Sequence, residues 1–443
     1  MTYVRPEVYS RFKQGAGTVI LGAGARILAI VGPSYTYKIA EEIITRGGAY
    51  PYSANSSDTL EHEPSEVLSV GDRAWSSDYH EGSDFNIIDD TIDWSLGGDE
   101  PAVGSKYYMR YKYLKTTTDY NPKLFYSYVD VQDEYGYPYS NNVLSLAAQI
   151  YFENGPAPII LVQTDGTNVA AIKAAIDKLK YQVKGVDPTH IIALSTSDEI
   201  HSYLLTHVDF MSSEFQRKER RAIISTPINT LEATMKAKAE AMASERIIYT
   251  PQWAVRSVPD ATTLAYSDYT LDGTYMACAV TGKLLSRRIE ESLININISG
   301  FKELSEEYLE AEADALAEKG ILLVESVGGI IKVRHDVTTS TATPEENQWS
   351  VGEIKDFLIK NLRSVLKKQW LGKPIYGTET IDNVKTTVGA TLDKMIENRV
   401  ITQAGNIIVR QNNTDPRELD VSFDFKPVYP IVWIYITFGY SVA

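Results

Sequence analysis

The sequence predicts a multidomain α/β plus β protein, in which an α/β layer carries an inserted small β domain and is followed by an α+β C-terminal domain. Three observations lead to this prediction. The length of 443 residues exceeds what one hydrophobic core normally supports. Buried-strand runs alternate with amphipathic helices over residues 143–250, a pattern typical of a largely parallel sheet. Short alternating strands separated by turn clusters fill residues 50–118.

Four parts succeed one another along the chain. The first holds two short β-like pieces separated by Gly15-Ala16-Gly17 and has no room for a core, so we predict a linking arm. The small β domain interrupts the α/β domain. The predicted division is 1–24 for the N-terminal linking arm, 25–49 and 119–265 for the α/β domain, 50–118 for the inserted β domain, and 266–443 for the α+β domain, with a C-terminal arm at 427–443.

Apolar alternation of period 2 predicts strands, and a period near 3.6 residues predicts helices. The predicted strands lie at residues 26–32, 66–70, 85–88, 91–94, 106–113, 158–163, 190–194, 221–225, 246–250, 406–410, 418–426 and 431–438, with a hairpin at 321–334. The predicted helices lie at residues 37–46, 142–152, 168–181, 197–214, 230–243, 273–289, 305–319, 351–370 and 380–397.

The apolar run at residues 431–438 is the strongest signal for assembly. It follows the alternating strand 421–426 and consists mainly of β-branched and aromatic residues, which are typical of a strand covered on both faces. Left uncovered, such a strand promotes aggregation. We therefore expect it to dock as an added strand, on its own domain or on a neighbouring copy. The residues proposed for this C-terminal contact are Ile431, Trp433, Ile434, Tyr435, Ile436 and Phe438.

Composition excludes several classes of protein. The net charge of -15 disfavours nonspecific binding to nucleic acid or to an anionic membrane. Neither an apolar signal region nor an apolar span of about 18 residues is present, so we expect neither a cleaved signal nor a membrane span. The single cysteine, Cys278, lies between Ala277 and Ala279, which favours a small buried side chain and folding in a reducing cytoplasm. The 29 tyrosines beside 11 phenylalanines suit half-exposed interfaces.

Signatures of catalysis are weak. The glycine-rich residues 22–26 precede a predicted strand, whereas a dinucleotide-binding turn follows one, so a hinge is the better interpretation. His201 and His207 lie on nearly opposite faces of one predicted helix and do not form a metal pair. The acidic clusters lack the spacing of a calcium-binding loop. The sequence therefore predicts no catalytic residue, no metal site and no cofactor.

Two predicted helices carry strong charge. The helix at 305–319 is acidic, and the helix at 351–370 is basic around an apolar stripe. Both are consistent with ordinary solvated faces and equally with complementary surfaces for contacts between molecules. The cations of the basic helix are Lys355, Lys360, Arg363, Lys367 and Lys368.

Several of these segments together resemble the contractile phage tail sheath proteins. The resemblance is strongest over about 270–443, at residues 273–282, 296–301, 320–324, 328–339 and 370–374. The stretch 92–108 is similar to a β insertion of some larger sheaths. Near the start, Pro6-Glu7-Val8-Tyr9 resembles the Pro-Gly-Val-Tyr opening of the family, with Glu7 in place of glycine.

The resemblance implies a structural subunit that polymerises helically around a tail tube, with exchanged terminal arms that complete a sheet in each C-terminal sheath domain. It implies contraction from a metastable lattice without nucleotide. The implied partners are further copies of the chain, the tail tube protein, and baseplate and tail terminator proteins, with no direct contact to nucleic acid and no membrane insertion. The implied location is the virion tail, after assembly in the host bacterial cytoplasm. The N-terminal arm contacts would involve Tyr3, Val4, Val8 and Tyr9, and the basic helix is the candidate contact to the tube.

Two other function classes remain open at this point. One is an α/β enzyme with an accessory β domain, whose site would lie at the carboxyl ends of the strands in residues 158–250. The other is a β-rich adhesin that binds carbohydrate through residues 50–118, where Trp75, Tyr79 and Trp94 supply aromatic rings.

Overall fold

A computed structural model describes residues 26–34, 37–47, 58–114, 119–260 and 265–438. The strands are β1 Leu28–Gly32, β2 Tyr37–Thr45, β3 Pro64–Gly71, β4 Asn86–Ile88, β5 Thr91–Asp93, β6 Lys106–Leu114, β7 Lys123–Phe125, β8 Ile159–Gln163, β9 His190–Ala193, β10 Arg221–Ile224, β11 Ile247–Tyr249, β12 Ala254–Pro259, β13 Tyr266–Leu271, β14 Glu303–Leu304, β15 Val324–Val327, β16 Ile330–Val333, β17 Ile401–Gln411 and β18 Leu419–Pro427.

The helices are α1 Tyr128–Tyr135, α2 Val143–Asn154, α3 Val169–Lys178, α4 Asp198–Ser212, α5 Glu232–Met242, α6 Gly273–Ser286, α7 Glu310–Ala317, α8 Pro344–Asn347, α9 Trp349–Gln369 and α10 Thr378–Glu397. Together with the strands they form a mixed α/β multidomain fold with several small sheets. Within the ranges described, none of these helices combines the length and the apolar content that crossing a membrane requires.

The central sheet has six strands in the order β11-β10-β9-β1-β8-β7. Strand β1 lies between β8 and β9 and is parallel to both, while β7 pairs antiparallel at one edge. Every residue of β1 and β8 is buried, as expected for parallel strands covered on both faces. This arrangement confirms the predicted α/β layer.

Side chains of alternate residues in β1 enter two different cores. Leu28 and Ile30 pack on the face covered by α2 and α6, together with Cys278. Ala29 and Val31 pack on the face covered by α3, α4 and α5. Helix α6 was assigned from the sequence to the C-terminal domain, but its core residues lie on the central sheet. It approaches α2 so closely that a Cβ added at Gly282 would lie 2.6 Å from the carbonyl oxygen of Tyr151.

The predicted helix at residues 37–46 is wrong. These residues form β2, which pairs antiparallel with β6 from Tyr37↔Leu114 to Thr45↔Lys106. Apolar residues spaced four apart imitate a helical period here, but the segment is rich in β-branched side chains, and nine residues of cross-strand pairing override the local pattern. The small sheet, in the order β2-β6-β3, therefore includes residues that the sequence assigned to the α/β domain.

The C-terminal part has its own core, made by α9 and α10 against the two-stranded sheet of β17 and β18. The acidic helix is shorter than the predicted 305–319. Strand β14 pairs with β12 just before it, and α7 begins only at Glu310, where the carboxylate of Glu312 accepts a hydrogen bond from the backbone N–H of Leu309. Residues 428–438 pair with no strand of the described chain, so the strand predicted at 431–438 is not formed within the single molecule.

Candidate assembly interface

The segment that follows β18 is apolar and lies in solvent. Two contacts hold its start: Val428 packs against the C-terminal core, and the hydroxyl of Tyr429 donates a hydrogen bond to Glu345 Oε1 at 2.8 Å. Beyond these contacts, large apolar side chains are 71–89% exposed, namely Ile431, Trp433, Ile434, Tyr435, Ile436 and Phe438. A continuous exposed patch of this kind marks an interaction site on a soluble protein. The structure thus leaves uncovered the same residues that the sequence selected for a contact between subunits.

The adjoining sheet has room for further strands. Strands β17 and β18 pair only with each other among the described residues, so each has an open outer edge. Phe423 and Phe425 of β18 are half-buried and pack toward the helices α9 and α10. A two-stranded sheet is only marginally stable by itself, and an added strand would extend both its hydrogen bonding and its apolar face.

The N-terminal residues proposed for arm exchange, Tyr3, Val4, Val8 and Tyr9, lie outside the residues that the structure describes. Their role stays a prediction.

Three of the five basic residues proposed for tube contact are already engaged within the chain. Lys355 Nζ lies 2.8 Å from Glu245 Oε1, and Lys360 Nζ donates a hydrogen bond to the backbone oxygen of Glu219 at 2.9 Å. Arg363 Nη2 lies 2.7 Å from Glu219 Oε1. Burial lowers the pKa of Lys360. These contacts fasten α9 to the loops that precede β10 and β11.

The remaining two cations, Lys367 and Lys368, are exposed in the last turn of α9. Two carboxylates of the acidic helix also form ion pairs within the chain: Arg334 binds Glu310 at 2.9 Å and Asp314 at 2.6 Å. The two charged helices are therefore only partly available to other molecules.

A buried ionic cluster that sequence reasoning missed joins α9 to the central sheet. Glu353 is only 5% exposed and lies 3.0 Å from His190 Nε2, 3.2 Å from Arg221 Nε and 3.7 Å from Arg26 Nη1. One turn along α9, Asp356 binds Arg221 at 3.2 Å. Burial alone would raise the pKa of Glu353, but the interactions with His190, Arg221 and Arg26 outweigh it and hold the pKa well below its usual value.

A sequence signal for this cluster did exist. Two carboxylates stand three residues apart in the apolar half of a helix that is otherwise basic, at Glu353 and Asp356, and burial of such groups requires partners. The chain also contains Gly352 at this point, where any side chain would collide with the guanidinium of Arg221.

The groups considered for catalysis are buried in packed surroundings. Burial lowers the pKa of His201 to about 4 and that of His207 to about 3. Burial likewise raises the pKa of the Cys278 thiol. In the described ranges, no cluster of three or more His, Cys, Asp or Glu side chains is placed to hold a metal ion.

Known proteins with similar sequences come from phage tails. The tail sheath protein of Mycobacterium phage Bxz1 is 27% identical over 380 residues, which is 82% of this chain and 63% of that protein. The tail sheath protein of Bacillus phage SP01 is 23% identical over 281 residues, covering 61% of this chain and 46% of that protein. The chain is a homologue of tail sheath proteins. It spans less than two thirds of the length of these curated relatives.

Two further comparisons bear on the fold and on the N-terminal part of this homologue. The contracted helical sheath of the anti-feeding prophage matches with a TM-score of 0.58 at 14% identity, covering 73% of this chain and 90% of that chain. The contracted sheath of an extracellular contractile injection system, PVC, gives a TM-score of 0.57 at 14% identity, with 74% and 88% covered. The fold is therefore that of sheath proteins.

Residues 10–124 match a family model described as a domain of unknown function, DUF4815.

Proposed function

We propose that this chain is a structural subunit of a contractile tail sheath, which polymerises helically around a tail tube and shortens to drive the tube through the envelope of a target cell. The observation that carries the proposal is the exposed apolar segment 431–438 beside an open two-stranded sheet, in a homologue of tail sheath proteins. An enzymatic function receives no support from the relatives, which are named as sheath proteins.

Strand addition would link the subunits. The segment 431–438 of one molecule would pair with the outer edge of β17 or β18 in the next, through main-chain hydrogen bonds. Ordering eight residues costs roughly 8–16 kcal/mol of conformational entropy. Burying six large apolar side chains returns at most about 9–18 kcal/mol. These two contributions nearly cancel, so the main-chain hydrogen bonds decide the balance, each adding about 0.5–1.5 kcal/mol.

Such a linkage suits a lattice that changes shape. A strand held by main-chain hydrogen bonds stays attached while the bodies on either side rotate, so neighbours repack without separating. The free energy of contraction would come from the difference between a metastable extended lattice and a more stable contracted one. The proposed partners are further copies of the chain, the tail tube protein, and baseplate and tail terminator proteins, all in a virion tail that assembles in the bacterial cytoplasm. The N-terminal residues 3–9 would supply the second arm.

Proline substitution tests the strand addition directly. Successive N–H groups of a strand point to opposite sides, so only one of two adjacent N–H groups faces the partner strand. Replacing both residues, Ile434→Pro with Tyr435→Pro, therefore removes one N–H that would donate to β17 or β18, whichever side of the segment faces that strand. The matched control, Ile434→Val with Tyr435→Phe, keeps both the donors and the apolar character. We expect the proline pair to remain a folded monomer and the control to form tubes, as measured by sedimentation velocity, negative-stain microscopy and circular dichroism.

Deleting residues 431–443 should give the same folded monomer. Normal tubes from the proline pair would contradict strand addition. Global unfolding of the truncated chain would show instead that the segment belongs to the core of its own molecule.

A further inference from the structure

The outer face of the small sheet β2-β6-β3 carries a groove beneath an exposed tryptophan. Trp75 is 63% exposed, and the guanidinium carbon of Arg110 lies 3.9 Å from the centre of its ring. On the sheet below, the pairing register sets Arg110 between Glu41 of β2 and Ser69 of β3. Tyr108 follows two residues away on the same face of β6 and completes the groove, which has a volume of about 200 Å³.

The loop that carries Trp75 is preorganised by its own hydrogen bonds. Trp75 has a φ of 69°, in the left-handed region that is unfavourable for a bulky side chain. Hydrogen bonds within the loop hold this conformation: the N–H of Asp72 and the hydroxyl of Ser76 both donate to Asp78 Oδ2, at 2.9 Å and 2.6 Å. The N–H of Asp78 donates to the carbonyl oxygen of Val70 at 2.9 Å. The ring is thus held in solvent at a cost in backbone strain, which is characteristic of binding sites.

The polar groups of the groove keep unused hydrogen-bonding capacity. Arg110 reaches Glu41 through Nε at 3.2 Å, and no group in the described part of the chain accepts a hydrogen bond from its two terminal nitrogens. The hydroxyls of Tyr108 and Ser69 likewise have no partner among the residues described.

The opposite face of the same sheet differs. There the hydroxyl of Tyr107 donates to Asp58 at 3.0 Å, and that of Tyr111 donates to Glu42. The tyrosines on that face are committed to the fold, whereas the groove keeps its donors free.

We propose that this groove binds a neutral pyranose unit of a glycan. Arg110 covers one face of the Trp75 ring, and the other face is exposed for stacking. This exposed face, with a guanidinium–carboxylate pair and two hydroxyls nearby, matches a sugar, which offers an apolar C–H face and adjacent hydroxyls at its edge. Glu41 offsets the charge of Arg110, so the site favours neither an anion nor a cation.

This site replaces the carbohydrate surface considered from the sequence. Trp94 is 2% exposed and packs edge-on against Tyr79 and Tyr107, so Trp94 belongs to the core of the small β domain. The hydroxyl of Tyr79 donates to Asp72 at 2.8 Å and supports the loop. Of the three aromatic residues that the sequence selected, only Trp75 offers its ring to a ligand.

Binding can be measured on the full-length protein without any polymer, so the result is independent of the proposed sheath function. The probes are an array of neutral and acidic glycans, followed by titration of maltotriose, cellotriose and chitotriose in saturation-transfer NMR. We expect a neutral glycan to bind, Trp75→Ala to weaken it about tenfold or more, and Trp75→Phe to retain most of the affinity. Tyr137→Ala, a matched change at a tyrosine that is 61% exposed elsewhere, should leave binding unchanged.

Three results would overturn the proposal. One is that no neutral glycan on the array and no trisaccharide binds. Another is that Trp75→Ala binds sugar as tightly as the unaltered chain. The last is that Trp75→Ala abolishes contacts between copies of the chain and no sugar signal depends on Trp75, which would make the groove a protein interface.

Discussion

Neutralising Glu353 should destabilise the junction between α9 and the central sheet. The substitution Glu353→Gln keeps the volume of the side chain and can still hydrogen-bond to His190, but it removes the negative charge. Arg26 and Arg221, which are 12% and 1% exposed, then lose a buried counter-ion. Removing one partner of a buried ion pair typically costs about 3–5 kcal/mol, because the remaining charge is left desolvated.

That cost sets the expected size of the effect. Each kcal/mol shifts the thermal midpoint of a domain of 150–250 residues by roughly 2–4 °C, so the predicted decrease is roughly 6–20 °C. The remaining contact of Arg221 with Asp356 at 3.2 Å favours the lower part of that range.

Differential scanning calorimetry and urea unfolding of the assembly-defective proline-pair background would measure this change on a monomer. The matched control is Glu379→Gln on the exposed first turn of α10, which should change the free energy of unfolding by less than about 0.5 kcal/mol. Equal midpoints for Glu353→Gln and the unaltered chain would refute the conclusion that this carboxylate neutralises buried cations.

Three further predictions concern buried titratable groups and exposed charge. In the native protein the pKa is about 4 for His201 and about 3 for His207, below the unfolded value of about 6.5. The contribution of these neutral histidines to stability is therefore complete above about pH 6.5, and the free energy of unfolding should be lower by about 2 kcal/mol for each histidine at pH 5. Urea unfolding measures this change, and a flat pH profile would contradict it. Cys278 should resist a thiol reagent in the native protein and react in denaturant, and rapid native labelling would show that the α6 face opens. Under the proposed function, the double substitution Lys367→Glu with Lys368→Glu should weaken tube-templated assembly at low salt, and much less at high salt, because salt screens exposed charges. Sheaths of unchanged length at low salt would exclude a tube contact at the end of α9.

The central sheet could be predicted because each of its strands has a recognisable pattern of apolar residues within its own segment. Strands such as β1 are short, apolar throughout and separated by amphipathic helices, so pattern and structure agree. The helix predicted at 37–46 failed because that segment takes its conformation from β6, about 70 residues away, and no local pattern reports such a partner.

Charge was the hardest feature to interpret. Lys355, Lys360 and Arg363 look like an exposed stripe in the sequence, but their partners Glu219 and Glu245 lie more than 100 residues away. The segment after β18 stands out in the sequence because six large apolar side chains occur without polar alternation, and the structure leaves these side chains exposed. Their contact with another subunit stays a prediction. The domain boundaries, the exchange of arms and the tube contact stay predictions.

The position of β1 has a mechanical consequence. Strand β1 is parallel to both of its neighbours at the centre of the six-stranded sheet. A pull on the residues that precede β1 acts along the strand axis and loads the hydrogen bonds to β8 and β9 together, in shear. A pull on the segment after β18 acts instead on a strand with a single partner. Strands β1 and β18 are therefore anchored with unequal strength, and under tension β18 should yield before β1.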